Sequence, residues 1–183
     1  FDVLNLLFRE KITFNNNLIY ALDDYSLQIF SETGVFEYKL NGYGKFKTPK
    51  NIYMDNNQQI YISNTGNNAI SVYKLYKEDD LKRVEFDSEV YLVSVDKENG
   101  WVYFGFSGYY NTADYYFRYK YIAQYDTNFN FIRNIGYDGG EPSVDNKFSG
   151  LRKIIASNGS LYVLDATRRQ IIKYNGSNPP SNP

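Results

Sequence analysis

Four times along the chain a short apolar stretch ends on tyrosine: Leu18-Ile19-Tyr20, Gln59-Ile60-Tyr61, Trp101-Val102-Tyr103 and Ser160-Leu161-Tyr162, the tyrosines lying 41, 42 and 59 residues apart. A recurrence of this length is the signature of a repeat architecture. Each repeat is one supersecondary unit that cannot bury its own faces, so neighbours must stack. The same pattern extends around each tyrosine. Extended segments precede it at Lys11–Asn15, Asn51–Asp55, Val90–Asp96 and Arg152–Ser157. Tight turns join the pairs at Asn16-Asn17, Asn56-Asn57, Lys97–Gly100 and Asn158-Gly159, and Asn and Gly tolerate the positive φ such turns need. Third segments end on an aromatic, at Leu27–Phe30, Ala69–Tyr73, Ile122–Tyr125 and Gln170–Tyr174. Fourth segments follow at Val35–Leu40, Leu81–Phe86 and Phe129–Ile135. The sum is fifteen strands, with the fourth repeat short of its outer one.

Composition fits strands throughout. Aromatic residues make up 19% of the chain, with 20 Tyr and 13 Phe. These residues favour pleated surfaces, while the strong helix former alanine is scarce. The 183 residues suffice for one domain with a core. A net charge of −1 gives no general attraction to nucleic acid or anionic lipid. With no Cys and no His, disulfides, thiolate nucleophiles, His-based general bases and Zn sites built on these ligands are all excluded. No apolar run reaches the roughly 20 residues that span a bilayer as a helix.

The clearest repeat runs from Gly42 to Leu75. It resembles an NHL-type repeat, one blade of a β-propeller, in Gly42, Gly44 and Phe46 ahead of Pro49, then Ile52–Asp55, Ile60–Tyr61, Asn64, Asn67 and Asn68, and Ile70–Tyr73. The resemblance implies an all-β propeller over residues 1–174, followed by a Pro/Asn/Ser-rich tail at 175–183. We expect four four-stranded blades, with the apolar strand Asp2–Phe8 supplying the missing outer strand of the last one. Such closure would remove an exposed edge. The alternative is part of a larger ring, since NHL propellers usually have more blades. First strands should line the central channel, with Ile12, Phe14, Ile52, Met54, Leu92, Val93, Ile154 and Ile155 as packing candidates.

Function in a repeat protein is sought where the pattern breaks. The connection from second to third strand is short at Asp23–Ser26, Asn64–Asn68 and Asp165–Arg169, but swells to a loop at Ser107–Lys120, SGYYNTADYYFRYK. The link between the third and fourth repeats, Gly136–Gly150, is also long. In a propeller both open on one face, and long loops on a rigid scaffold are where binding concentrates. The first insertion carries Tyr109, Tyr110, Tyr115, Tyr116, Phe117, Arg118 and Tyr119. Tyrosine gives wide contact area with a polar tip at low entropic cost. Packing over the blade is the competing role, and an extended hairpin would bury alternate rings. Tyr137, Arg168 and Arg169 complete the expected partner-binding set.

The reading is a non-enzymatic scaffold that binds a protein partner, with no catalytic residues, cofactor or metal. Alternatives are stacking of a glycan or single-stranded RNA on the aromatics, or a carboxylate-dependent propeller lyase or hydrolase using Asp23 with Asp165. The family's lyases rely on metal-bound His, which is absent. Arg118, Lys120, Arg152, Lys153, Arg168 and Arg169 form a basic set, but Asp23, Asp24, Asp114, Asp138, Glu141 and Asp145 share the same loops. That mixture argues against phosphate binding and hence nucleic acid. Asp138-Gly139-Gly140-Glu141 with Asp145 does not match an EF-hand spacing. The sequons at Asn158 and Asn175 are chance matches. Asn-, Tyr-, Ile- and Lys-rich composition points to a bacterium, and an exported or envelope location is the guess that goes with it. The first residue, Phe1, leaves room for a signal peptide or lipid anchor before it, and the tail suits a linker to a further domain.

Overall fold

The computed structural model describes residues 11–55, 57–112, 115–136, 148 and 150–175, without the side chains of 80, 81 and 107–119. The strands are β1 (Lys11–Asn15), β2 (Leu18–Leu22), β3 (Ser26–Ser31), β4 (Phe36–Asn41), β5 (Asn51–Met54), β6 (Gln59–Asn64), β7 (Ala69–Lys74), β8 (Asp80–Glu85), β9 (Glu89–Asp96), β10 (Trp101–Thr112), β11 (Tyr115–Asp126), β12 (Phe131–Ile135), β13 (Leu151–Ser157), β14 (Ser160–Asp165) and β15 (Gln170–Asn175). A short 3-10 turn at Thr65–Asn67 separates β6 from β7. All fifteen strands expected from the sequence are present. They form four antiparallel sheets, each in chain order: β1–β4, β5–β8, β9–β12 and the three-stranded β13–β15. Among the described residues no helix is long and apolar enough to cross a membrane.

Local chemistry explains the hairpins. Asn16 and Asn17 take φ of 49° and 59°, and Asn158 and Gly159 take 49° and 72°, the paired positive values that match a two-residue turn to strand twist. At the corresponding corner of the second repeat, Asp55 Oδ1 accepts the amides of Asn57 (2.9 Å) and Gln59 (2.8 Å), and Gln58 adopts φ 61°. Irregularities also repeat. The pairing of third with fourth strand slips at Ile29/Phe30, Val72/Tyr73 and Gln124/Tyr125, one position in three sheets.

The chain divides into two compact units, Phe1–Glu85 and Phe86–Pro183, each holding two repeats. In the first unit one core joins Tyr20, Leu22, Leu27 and Ile29 of the first sheet to Ile52, Met54, Ile60, Ile62 and Tyr73 of the second, with Phe46 from the connecting segment. In the second unit Leu92, Tyr103, Ile122 and Ile135 meet Leu151, Ile154, Ala156, Leu161 and Val163, with Phe148 from the connection. The two connections work alike: Phe46 packs edge-on against Tyr73 at 5.9 Å, and Phe148 against Tyr174 at 6.1 Å. In both cases a glycine makes room, since a Cβ on Gly42 would fall 2.0 Å from Phe46 and one on Gly136 2.5 Å from Phe148.

Three expectations change. Ile12, Phe14 and Ile155 are 61%, 60% and 51% exposed, while Ile52, Met54, Leu92, Val93 and Ile154 are buried. Alternation assigns each strand two faces, and those three residues sit on a face other than the one forming the sheet-to-sheet core. The segment Ser107–Lys120 is not a loop: β10 runs to Thr112 and β11 begins at Tyr115. Asn175 ends β15 rather than opening a tail. The closing strand Asp2–Phe8 and the segment 176–183 lie outside the described residues.

Candidate interaction surface

Second-to-third strand connections in the second unit share one end of its two sheets. At the opposite end the first turns of both sheets meet, because Asp96 Oδ2 accepts the Gly159 amide at 2.7 Å. At the near end Tyr91 donates to the Leu151 carbonyl at 3.5 Å. β9 and β13 therefore run alongside one another, which brings the β10–β11 tip and the turn after β14 to the same side.

The β10–β11 hairpin is the outstanding feature of that side. Both strands have 12 residues, against 5 or 6 for β2, β3, β6, β7, β14 and β15. Pairing with β9 ends at Ser107↔Glu89. The two strands continue past it through Gly108↔Tyr119, Tyr109↔Arg118, Tyr110↔Phe117, Asn111↔Tyr116 and Thr112↔Tyr115. The expected binding residues of the insertion thus lie on a two-stranded extension in unbroken register. Its root is rigid: Phe104 and Phe106 are buried, Phe86 packs edge-on against both, at 5.6 and 5.0 Å, and Phe106 stacks on Tyr121 at 4.9 Å.

The turn after β14 carries Arg168 and Arg169. Asp165 ends β14 with its side chain wholly buried. Its Oδ1 accepts the amides of Gly150 (2.8 Å) and Arg168 (3.2 Å), and its Oδ2 lies 4.0 Å from Arg168 Nε. Repeat two uses the same device. Asn64, also fully buried, accepts the Lys47 amide at 2.8 Å and donates to the Lys45 carbonyl at 2.7 Å. In both, a buried acceptor at the end of the second strand pins the segment arriving from the previous sheet. Three residues after the signature tyrosine the chain has Asp23, Asn64, Phe106 and Asp165. The third repeat puts an apolar residue there, and it is the one whose hairpin runs on.

This assigns both candidate catalytic carboxylates to backbone. Asp23 Oδ1 accepts the amides of Tyr25 (2.8 Å) and Ser26 (2.6 Å) within its own turn. Asp165 holds the incoming segment. Sequence reasoning saw the polar residues of these turns but had no signal for what they held. Arg169 stands in the left-handed region with φ 55°, where repeat two has Asn68 at φ 48°. An arginine there is strained relative to asparagine. Of the second long connection, Phe148 and Gly150 belong to the core and the latch. Tyr137, Asp138, Glu141 and Asp145 lie outside the described residues. Among the described residues no cluster of three or more His, Cys, Asp or Glu has metal-binding geometry.

Tyr20, Tyr61 and Tyr103 are buried, and their phenols are raised as a result. Burial, and next the carboxylate of Asp96, push the Tyr103 phenol up to about 12, with Arg133 opposing. Burial raises Tyr20 and Tyr61 as well; Tyr76 contributes next for Tyr20, and Asp55 for Tyr61.

Solved structures identify the architecture. The Kluyveromyces lactis Hsv2 variant with loop 6CD replaced by a Gly-Ser linker is similar over 92% of this chain and 48% of its own, at a TM-score of 0.60 and 15% identity. Hydrazine synthase of Kuenenia stuttgartiensis is similar over 90% of this chain and 47% of its own, at 0.58 and 14%. The fold is a β-propeller. Its sheets are blades, and the chain spans about half the length of these two structures. No protein-family model matches the chain, and no curated protein matches it.

Proposed function

We propose that this propeller is a non-enzymatic interaction module of NHL-like repeats that binds a protein partner through the β10–β11 extension, with Arg168, Arg169 and Tyr137 in the same partner-binding set. The observation that carries this is the extension itself. Five residue pairs stand beyond the last rung shared with β9. Five of those ten residues are tyrosine, with Phe117 and Arg118 among the rest. A sheet does not need this length for its own pairing, and aromatics with arginine are the residue types that anchor interfaces. The backbone roles of Asp23 and Asp165 support a binding role over carboxylate catalysis. A bacterial cell-envelope setting belongs to the same reading, on composition alone.

The test is joint alanine replacement of Tyr109, Tyr110, Tyr115 and Tyr116. Capture of the partner from native lysate should be lost while the melting temperature stays within a few degrees. A drop of about 10 °C or more would mean these rings are core, and the reading fails. Capture that survives the replacement overturns it equally. Steep loss of capture with added salt would turn the reading toward RNA.

A further inference from the structure

Asparagine is a chemically labile residue, and it is most labile before glycine, which has no side chain to shield its own backbone nitrogen. The chain has four such pairs: Asn41-Gly42, Asn99-Gly100, Asn158-Gly159 and Asn175-Gly176. Gly176 lies outside the described residues. In the other three pairs the glycine nitrogen is the group that attacks the asparagine side chain, and its surroundings differ. Gly42 donates its amide to the Tyr25 carbonyl at 2.7 Å, and Asn41 Oδ1 accepts the Tyr43 amide at 3.1 Å. Gly159 donates its amide to Asp96 Oδ2 at 2.7 Å. The Gly100 amide has no acceptor among the described residues.

That difference controls reactivity. Attack requires the glycine nitrogen to lose its proton and to stand close to the side-chain carbon. A hydrogen bond keeps the proton on nitrogen and pins the nitrogen in its turn, and a carboxylate acceptor makes the stronger bond. A restrained pair therefore reacts only in the fraction of molecules whose turn has opened. Asn41-Gly42 and Asn158-Gly159 are restrained in this way, and Asn99-Gly100 is not.

We infer that Asn99 is a site of spontaneous, one-way amide loss, and that the change weakens the contact joining the first turns of the second unit's two sheets. The Gly100 nitrogen gives up its proton and bonds to Asn99 Cγ; the Cγ–Nδ2 bond breaks, and ammonia departs with that proton. Water then opens the cyclic imide at either carbonyl, which yields aspartate or isoaspartate. One water is consumed and one ammonia released, with no oxidant or reductant. The consequence follows from what the side chain touches. Asn99 Nδ2 donates to Asp96 Oδ2 at 3.1 Å, the same oxygen that accepts the Gly159 amide. Asp96 is wholly buried, and a Cβ on Gly159 would lie 3.5 Å from Asn99 Nδ2. Conversion replaces a donor to that oxygen by a second carboxylate, and like charges this close repel. Asp96 then holds Gly159 less firmly, so the restraint that slows the same reaction at Asn158 is withdrawn.

The experiment is ageing of the purified chain at mildly alkaline pH, with peptide mapping by mass spectrometry at intervals. The same chain unfolded in urea is the unrestrained reference. Folded, Asn99 should convert about tenfold faster than Asn41 or Asn158; in urea the three rates should fall within about threefold of one another. Asn41 or Asn158 converting as fast as Asn99 in the folded chain overturns the inference. So does an Asn99 that converts in urea but survives folded ageing intact. Asn99→Asp installs the product charge, and Asn99→Ala removes the donor without adding charge. Asn99→Asp should lower the melting temperature by a few degrees more than Asn99→Ala and should speed conversion of Asn158 more. Equal effects of the two variants overturn the coupling through Asp96. No partner enters these measurements, so their outcome is independent of the proposed function.

Discussion

Replacing Asp165 separates geometry from charge at the end of β14. Its carboxylate is wholly buried and accepts two amides, Gly150 at 2.8 Å and Arg168 at 3.2 Å. Alanine would leave the buried Gly150 amide without an acceptor, at about 1–3 kcal/mol, and the part-buried Arg168 amide at about 1 kcal/mol. The expected loss for Asp165→Ala is therefore about 2–4 kcal/mol. Asparagine keeps one carbonyl oxygen in place. Repeat two shows that an amide can do this work, since Asn64 accepts the Lys47 amide at 2.8 Å. Asp165→Asn should cost under about 1 kcal/mol, the difference between a charge-assisted and a neutral bond. Urea unfolding followed by Trp101 suits the assay, because the chain has one tryptophan and it packs against the second unit's core. With a slope of about 2 kcal/mol per molar urea, alanine should move the midpoint by about 1–2 M and asparagine by less than about 0.5 M. Equal losses for the two variants would refute the reasoning, showing that the negative charge rather than the acceptor is what the position requires.

Three further outcomes follow from the same structure. Tyr103 holds its proton up to about pH 12 when folded but only to about pH 10 when unfolded. The unfolded chain therefore binds fewer protons between those values, and stability should fall with rising pH by roughly 1–2 kcal/mol there and not below pH 10; melts across pH 9–12 measure it, and Tyr103→Phe should flatten the fall. Arg169→Asn relieves a left-handed arginine and should raise stability by about 0.5–1 kcal/mol, seen as a higher melting temperature, while weakening partner capture. Gly42→Ala forces a Cβ to within 2.0 Å of Phe46 and should cost about 1–3 kcal/mol in chemical denaturation.

Every strand was legible because the turn residues are explicit. Asn16-Asn17 and Asn158-Gly159 announce their hairpins, and the tyrosine spacing sets the register of repeats. The β10–β11 extension resembles a loop in the sequence because Gly108, Asn111 and Asp114 interrupt the aromatics; an unbroken ladder through Gly108↔Tyr119 is a matter of pairing that composition does not encode. Phe148 was hidden in a polar connection, yet Phe46 in the equivalent connection of repeat two offered the clue. Alternation marked Ile12, Phe14 and Ile155 as apolar positions of their strands. Which of two apolar faces acquires a neighbour is set by the surroundings of a blade, and no residue within the strand carries that information. The latch residues Asn64 and Asp165 looked like ordinary turn formers, since their partners are backbone amides 17 and 15 positions away.

Phe106 stands where the other repeats place Asp23, Asn64 and Asp165. By giving up a polar anchor at that rung, the third blade frees its middle strands from any fixed stopping point. Trimming or lengthening them by one residue on each side keeps every surviving cross-strand partner as it is. The arm is thus adjustable in small steps with the aromatic base at Phe104 and Phe106 undisturbed.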